Sequence, residues 1–268
     1  MIVLSSDSAI NDRGTRMLDL SARFWFLVMI IGQGLFAFHI INFYWGSAID
    51  GDYAKWAEVL EHGITNGDPM GNVVIAAHIL LAGLITIGGP LQLLPYTQNR
   101  LKTFHRWNGK VYMVTAILIS LAGTYIILFK GVVGGVYIGA GNLINATGII
   151  LSATMAWYFA VNRRMTSHRK WALRLFVLAS GVWFFRIAFG FWIFINQGAP
   201  GHTDAFDGAF DISLAIGHTT IPLLILELYF RAQESSRQRI KQSMSTGLIL
   251  LTIAMGMGIF MATVIFWI

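Results

Sequence analysis

GLILLTIAMGMGIFMATVIFWI, residues 247–268, has no ionisable side chain in 22 consecutive positions. An α-helix rises about 1.5 Å per residue, so a run of this length crosses the roughly 30 Å hydrocarbon core of a bilayer. Of the 268 residues in the chain, 56% are hydrophobic and only 12% are charged, whereas a soluble domain has about 25% charged residues. The sequence therefore predicts an all-α fold, a polytopic bundle of transmembrane helices.

The same apolar pattern recurs along the chain, with short polar segments between the runs. One transmembrane domain is predicted over residues 24–268, after a polar tail of residues 1–23. Seven spans are predicted within it, at residues 24–45, 72–95, 110–129, 136–161, 172–195, 212–230 and 246–267. The longest connection, residues 46–71, is expected to hold a short amphipathic helix at residues 53–62.

Basic residues indicate the orientation of the spans. Sixteen of the 19 Lys and Arg residues lie on one side of the predicted bundle, in residues 1–23, 96–110, 162–174 and 231–245. The connections on the other side carry most of the acidic residues. We name these the basic side and the acidic side. Because Lys and Arg accumulate in cytoplasmic loops, we expect a cytoplasmic N-terminus, an external C-terminus, and a location in the bacterial cytoplasmic (inner) membrane.

A short polar phrase occurs twice, as TFHRWNGKVY at residues 103–112 and as TSHRKWALRL at residues 166–175. Each copy opens a predicted span at the basic side, which indicates a repeated two-helix hairpin. The arginines and tryptophans of both copies are typical of a membrane boundary, where cations contact lipid phosphates and indoles form an aromatic belt. His105 and His168 add little to such anchoring when they are neutral, so they are candidates for a pair.

A second polar layer is predicted nearer the acidic side. Counting about 1.5 Å of rise per residue places five residues from five spans at a similar depth: His39, His78, Asn145, Arg186 and His218. Ionisable groups inside a bilayer usually face a cavity or a partner, and an arginine keeps its proton. Arg186 therefore needs an anion or another acceptor.

Three further residues are placed by the same reasoning. Glu227 is the only acid inside a predicted span, near its cytoplasmic end, where it is expected to meet the basic segments. His62 and His202 lie in connections on the acidic side, and both are expected to be solvated.

Composition excludes several kinds of chemistry. The chain has no cysteine, so it has no disulfide, no iron–sulfur cluster and no c-type haem attachment. Its net charge of +6 follows from the basic side and does not indicate nucleic-acid binding. The sequence has no nucleophile elbow and no zinc-protease helix, and it leaves open whether the chain is an enzyme.

Two layers of histidines suit electron transfer through b-type haem, because facing helices can hold haem b by two neutral imidazoles. In the layer near the acidic side, His78 and His218 are the predicted pair of iron ligands. His39 is the alternative iron ligand, and Arg186 is predicted to bind an anionic group of the cofactor. The outer haem site is thus expected to draw on four different spans.

In the layer near the basic side, His105 and His168 are the predicted inner pair. Arg106 or Arg169 would then neutralise the haem propionates. A quinone is the alternative cofactor for the same histidines and arginines. Two other classes of function stay open: a small-solute or proton transporter, and an accessory subunit that contacts other membrane subunits through the seventh span as well as the lipid bilayer.

Several spaced motifs carry a resemblance to a family. They are HILLAG at residues 78–83, GPLQ at 89–92, HRWNGKVY at 105–112 and HRKWALR at 168–174, followed by Arg186 and Glu227. Over roughly residues 70–230 the chain resembles the predicted bacterial membrane proteins grouped as domain of unknown function 2306. The resemblance implies a membrane-embedded chain but no activity. It marks as part of the family pattern His78, His105, Arg106, His168, Arg169, Arg174, Arg186 and Glu227.

Overall fold

The computed structural model describes residues 6–57 and 64–267, and these residues are 86% helical with no β-strand. They form eleven α-helices: α1 (Ser6–His39), α2 (Gly46–Ile49), α3 (Ala54–Ala57), α4 (Pro69–Leu93), α5 (Pro95–Asn99), α6 (Lys102–Tyr125), α7 (Gly135–Val161), α8 (Met165–Ala179), α9 (Gly181–Asn196), α10 (Ala209–Glu234) and α11 (Gln238–Ala262). Short π-helical segments extend α1, α6 and α11, at Ile40–Trp45, Ile126–Lys130 and Thr263–Trp267.

Six stretches of the described chain are long and apolar enough to cross a membrane. They are Arg13–Ile49, Pro69–Leu93, Lys102–Lys130, Gly135–Val161, Ala209–Glu234 and Gln238–Trp267. Helices α8 and α9 pass the same test together, and they make a seventh span if the bent pair is one crossing. The prediction of an all-α transmembrane bundle is confirmed, and each predicted span overlaps one of these stretches.

The predicted polar tail is continuous with the first span. Helix α1 begins at Ser6, and its early turns lie against α11, where Lys241 Nζ donates a hydrogen bond of 2.9 Å to Thr15 Oγ1. Leu18, one turn further on, is buried. From Gly14 onward one face of this helical tail packs against α11, at Gly14, Leu18 and Ser21.

The predicted fifth span is bent. Helices α8 and α9 meet at Ser180 with an angle of 55°, as a Ser–Gly pair often causes. Ser180 Oγ donates to the Phe176 carbonyl at 2.9 Å and accepts from Gln33 Nε2 at 2.8 Å. Gly181 leaves room for Asn145, whose Nδ2 would lie only 2.8 Å from a Cβ at that position. The bend therefore meets α1 and α7 at one buried point.

Close contacts between helices depend on glycines. A Cβ at Gly258 would lie 2.2 Å from the carbonyl oxygen of Ile187, and a Cβ at Gly190 would lie 2.8 Å from the carbonyl oxygen of Gly258. Helices α9 and α11 therefore pack with their backbones in contact, as small residues allow in membrane bundles. A Cβ at Gly141 would lie 2.2 Å from the Ala215 carbonyl oxygen, so α7 and α10 approach each other equally closely.

A buried carboxylate organises the connection between α9 and α10. Asp211 is fully buried, and it accepts hydrogen bonds from the backbone N–H groups of Thr203 and Gly208 at 3.1 and 3.2 Å. His202 Nδ1 lies 2.8 Å from Asp211 Oδ1, and its imidazole contacts two phenylalanine rings. The prediction that His202 is solvated is wrong, because the carboxylate and the aromatic rings enclose it.

The long connection before α4 contains the short helices α2 and α3. The helix predicted at residues 53–62 is present as α3, but residues 58–63 lie outside the described part of the chain. The prediction for His62 falls in the same segment.

The start of α4 is held by an ion pair on the acidic side. Asp68 Oδ1 accepts a hydrogen bond from the Gly71 N–H at 2.9 Å, and Asp68 Oδ2 accepts one from Lys130 Nζ at 2.9 Å. The Lys130 ammonium lowers the pKa of the Asp68 carboxyl, and the bond from Gly71 acts in the same direction. This pair joins the N-terminus of α4 to the segment that follows α6.

Ion pairs also join α8 to α10 on the basic side. Arg174 contacts Glu227 at two points, Nε to Oε1 at 2.6 Å and Nη2 to Oε2 at 3.0 Å. Lys170, one turn from Arg174, pairs with Glu234, which lies two turns from Glu227. The prediction that Glu227 meets the basic segments is confirmed, and a two-point arginine–carboxylate contact of this kind fixes orientation as well as charge.

Because α9 and α11 are in backbone contact at Gly258, a larger side chain at this position is expected to destabilise the fold. We expect Gly258→Val to lower the free energy of unfolding by about 1–3 kcal/mol, the usual range for overpacking. Gly247→Val on the same helix is the control, because nothing lies within 4 Å of a Cβ there. Thermal unfolding in detergent measures both, and equal midpoints for the two variants would contradict a tight α9–α11 contact.

The asymmetric distribution of basic residues predicts that the basic side of the bundle faces the cytoplasm. Because the chain has no cysteine, single cysteines can be introduced and labelled to measure this orientation. Asn99 on the basic side and Ala205 on the acidic side are both exposed. We expect a membrane-impermeant maleimide to label Ala205→Cys in intact spheroplasts, and to label Asn99→Cys only after lysis. The opposite pattern would invert the orientation.

The Asp68–Lys130 pair predicts a pH-dependent contribution to stability. Because the folded pKa of Asp68 is lowered, the pair stabilises the fold above the usual carboxyl pKa of about 4, and the contribution is lost as the pH falls through the folded value. We expect Lys130→Met to lower the thermal midpoint near neutral pH and to have less effect below about pH 4. Lys55→Met, in the exposed pair with Asp52, is the control. A pH-independent effect of Lys130→Met would exclude this linkage.

Candidate functional site

A cavity of about 1290 Å³ lies between the helices and extends from the basic side to the acidic side. We name it the interhelical cavity. Its basic end is lined by Gln92, Gln98, His105, His168, Arg169 and Tyr229. Its acidic end is lined by Trp192, Pro200, Gly201, Phe210 and Ser213. Apolar side chains of α1, α8, α9, α10 and α11 form most of the wall between the two ends.

His105 lies at the start of α6, and its hydrogen bonds are incomplete. Gln92 Nε2 lies 3.4 Å from His105 Nε2 and also donates to the His105 carbonyl at 3.0 Å. Asn108 Nδ2 donates to Gln92 Oε1 at 2.9 Å and so fixes the amide. An amide N–H beside Nε2 requires that nitrogen to accept, which places the proton on Nδ1. His105 Nδ1 is buried with no hydrogen-bond partner, although buried donors are normally paired.

His168 opens α8 in the equivalent position of the second phrase. Its Nδ1 lies 2.9 Å from the Ala156 carbonyl oxygen on α7, so Nδ1 carries the proton and donates. The Nε2 atom is then unprotonated and able to bind a metal ion or accept a proton. His105 and His168 line the same cavity. The structure thus brings together the two histidines predicted as the inner pair.

The two candidate arginines of the inner layer have different surroundings. Arg169 lines the interhelical cavity. Arg106 instead donates from Nε to the Lys102 carbonyl at 3.3 Å, and it lines a separate small cleft with Trp107 and Lys110. Of the two candidate arginines, Arg169 is the one that lines this cavity.

The predicted outer layer is divided among separate places in the bundle. His218 is buried in the cavity wall, where Nδ1 donates to the Leu214 carbonyl at 3.0 Å and Nε2 lies 3.1 Å from Thr219 Oγ1. His78 is held against α6, with Nδ1 lying 3.1 Å from the Ile119 carbonyl oxygen. Within the described residues no hydrogen bond or ring contact joins these two histidines. Their role as a ligand pair stays a prediction.

The other members of that layer are also separated. Asn145 lies beside Gly181 and His218 at the helix bend. His39 and Arg186 lie together instead, near the end of α1, where the charge of Arg186 acts on the imidazole. Depth along the helices was predicted from the sequence, but the direction in which each side chain points was not.

Sequence reasoning missed the residues that orient the two inner histidines. Gln92 and Asn108 occur in the motifs GPLQ and HRWNGKVY, respectively. Their side-chain amides could have indicated hydrogen-bond partners for His105. The Ala156 carbonyl has no signal of its own in the sequence. Among the described residues, no group of three or more His, Cys, Asp or Glu side chains forms a metal site.

Comparison with known proteins gives a family. A family model described as predicted membrane protein (DUF2306) matches residues 75–230, more than half of the chain. The matched region begins within α4 and ends within α10, so it contains both histidine phrases. No curated protein and no solved structure matches the chain. The resemblance seen in the sequence is confirmed, and the chain belongs to the DUF2306 family of predicted membrane proteins.

Proposed function

We propose that this chain is a redox protein of the bacterial cytoplasmic membrane that holds haem b in the interhelical cavity, with His105 and His168 as the axial ligands. One observation carries the proposal. His105 and His168 line the same large cavity, and Nε2 of His168 has no hydrogen-bond partner among the described residues. A bound group that engages both imidazoles would explain why the two histidines occur in matched positions of a repeated phrase.

The residues at the basic end fit the requirements of b-type haem. Two imidazoles, an apolar slot and a cation for the propionates are needed to hold haem b without covalent attachment. His168 donates Nδ1–H to the Ala156 carbonyl, which is the usual way in which a metal-binding histidine is oriented. Gln92 and Asn108 restrain His105 with an amide N–H against Nε2, so iron binding through this atom would displace the amide. Arg169 supplies the cation.

The chemistry of the site follows from this arrangement. Haem b supplies one-electron transfer. The chain contributes orientation of the two ligands, charge neutralisation by Arg169, and exclusion of water by apolar wall residues such as Met113, Leu175 and Phe176. Apolar surroundings and hydrogen bonds to the ligands are the means by which a protein sets a redox potential.

A quinone is the second candidate, and the length of the cavity favours it. The volume of about 1290 Å³ exceeds the roughly 300–1,000 Å³ of most ligand pockets. The polar groups lie at one end, where His105, Gln98 and Tyr229 supply hydrogen-bonding groups for a quinone head. The long apolar wall suits an isoprenoid chain. Transport and an accessory role in a larger complex stay alternatives without a comparable observation.

An absorption spectrum tests the haem proposal directly. The protein, purified in detergent after growth with ample haem precursor, is expected to show a sharp α-band of the b type after dithionite reduction. A pyridine haemochrome assay should give at least one haem per chain. His105→Gln and His168→Gln are each expected to lose this haem, because one axial ligand is removed. His202→Gln is the control, since His202 bonds to Asp211 outside the cavity lining.

The outcomes separate the candidate cofactors. A colourless wild-type protein, or haem retained at full occupancy in both ligand variants, would exclude haem at this site. Stoichiometric quinone in an organic extract of the colourless protein, lost in His105→Gln, would support the second candidate instead. His78→Gln and His218→Gln in the same series test the predicted outer pair, because a second haem would be lost in these variants alone.

A further inference from the structure

Arg186 is a cation inside the bundle without an acid to balance it. It lies on α9 within the bent span, and its guanidinium carbon lies 5.1 Å from the centre of the Phe36 ring. No hydrogen bond or ion pair joins the guanidinium to any described residue. Each of its five N–H donors requires an acceptor, and inside a bilayer the charge requires a counter-charge or water.

Other cations embedded in the described bundle have partners. Arg174 in the other half of the same bent span contacts Glu227 at two points. Lys130 pairs with Asp68. On the acidic side the most deeply buried acid, Asp211, is occupied by His202 and two backbone N–H groups, and no ion pair joins a described carboxylate to Arg186. The described part of the chain therefore supplies no carboxylate to Arg186.

Two tryptophans of the buried cluster near this arginine also have hydrogen-bond donors without acceptors. Trp183 lies one turn before Arg186 on α9, and its buried Nε1–H has no partner. Trp267 is also buried, with an unpaired Nε1–H, and its ring lies 5.2 Å from Phe36, the ring that Arg186 covers. These residues belong to one buried cluster with Tyr44. Buried donors without acceptors are destabilising, so this cluster lacks an acceptor that the described chain does not provide.

We infer that Arg186 and the indole N–H groups of Trp183 and Trp267 form a binding site for a small oxyanion, a carboxylate or a phosphate group, which enters from the acidic side. A planar guanidinium presents paired donors that match two oxygens of such a group. Phe36 supports the guanidinium from one side, and the charge of Arg186 also acts on Tyr44 and His39 beside it. This site does not depend on haem or quinone at the basic end.

Thermal unfolding with added anions tests the site. Protein in nanodiscs of zwitterionic lipid is titrated with sodium acetate, and separately with sodium phosphate, against sodium chloride at constant ionic strength. We expect one or both anions to raise the unfolding midpoint of the wild type, since a ligand that binds only the folded state stabilises it. Arg186→Met should abolish the increase. Trp267→Phe keeps the ring against Phe36 and should weaken the apparent affinity by about tenfold.

Two controls distinguish binding from general salt effects. Arg231→Met removes an exposed cation on the basic side and should respond like the wild type, whereas general stabilisation by salts would be equal in all variants. An equal response in wild type and Arg186→Met, or no response in the wild type in zwitterionic discs, would overturn the proposal. If Arg186→Met does not fold, Trp183→Phe and Trp267→Phe must both weaken the response.

Repeating the titration in discs of anionic phospholipid identifies the source of the oxyanion. A response that is present in zwitterionic discs and absent in anionic discs would mean that the headgroup of an anionic lipid already fills the site. A response that is unchanged by the lipid would mean that a soluble anion is the ligand. Either result supports an oxyanion at Arg186, and the haem content of the protein does not enter into the comparison.

Discussion

The bend at Ser180 and Gly181 is the constraint on which the two ends of the molecule depend. It divides one span into α8, which carries His168 and Arg174, and α9, which carries Arg186. The hydrogen bond from Gln33 to Ser180 fixes the bend against α1. A straight helix through this position would change the direction of α8 relative to α9, and with it the position of His168 in the cavity.

The two halves of the bent span are held in different ways. Helix α8 is joined to α10 by ion pairs, with Arg174 and Glu227 at the centre. Helix α9 is held to α11 by glycines that allow the two backbones to touch. Helix α8 also packs against α7 through a buried apolar cluster that includes Leu175 and Leu178. The half that carries the histidine is therefore secured by apolar packing and by ion pairs, and the half that carries Arg186 by close backbone contact.

The sequence was sufficient for the class of fold, the approximate spans, the family and the basic surroundings of Glu227, because these depend on apolar length, motif order and the position of a single acid. It did not reveal the bend, because a Ser–Gly pair in an apolar run leaves hydropathy unchanged. It gave a common depth for His39, His78 and His218 but not the different neighbours that each side chain faces. His202 was misjudged because its partner, Asp211, belongs to the next helix.

The unpaired Nδ1–H of His105 has a consequence for how the protein accumulates in a cell. A buried donor without an acceptor weakens the folded state, and a ligand that engages the site restores that stability by mass action. Chains that lack the ligand unfold more often and are exposed to proteases for longer. If a cofactor fills the cavity as proposed, the amount of protein in the membrane is expected to follow the supply of that cofactor, even when synthesis of the chain is constant.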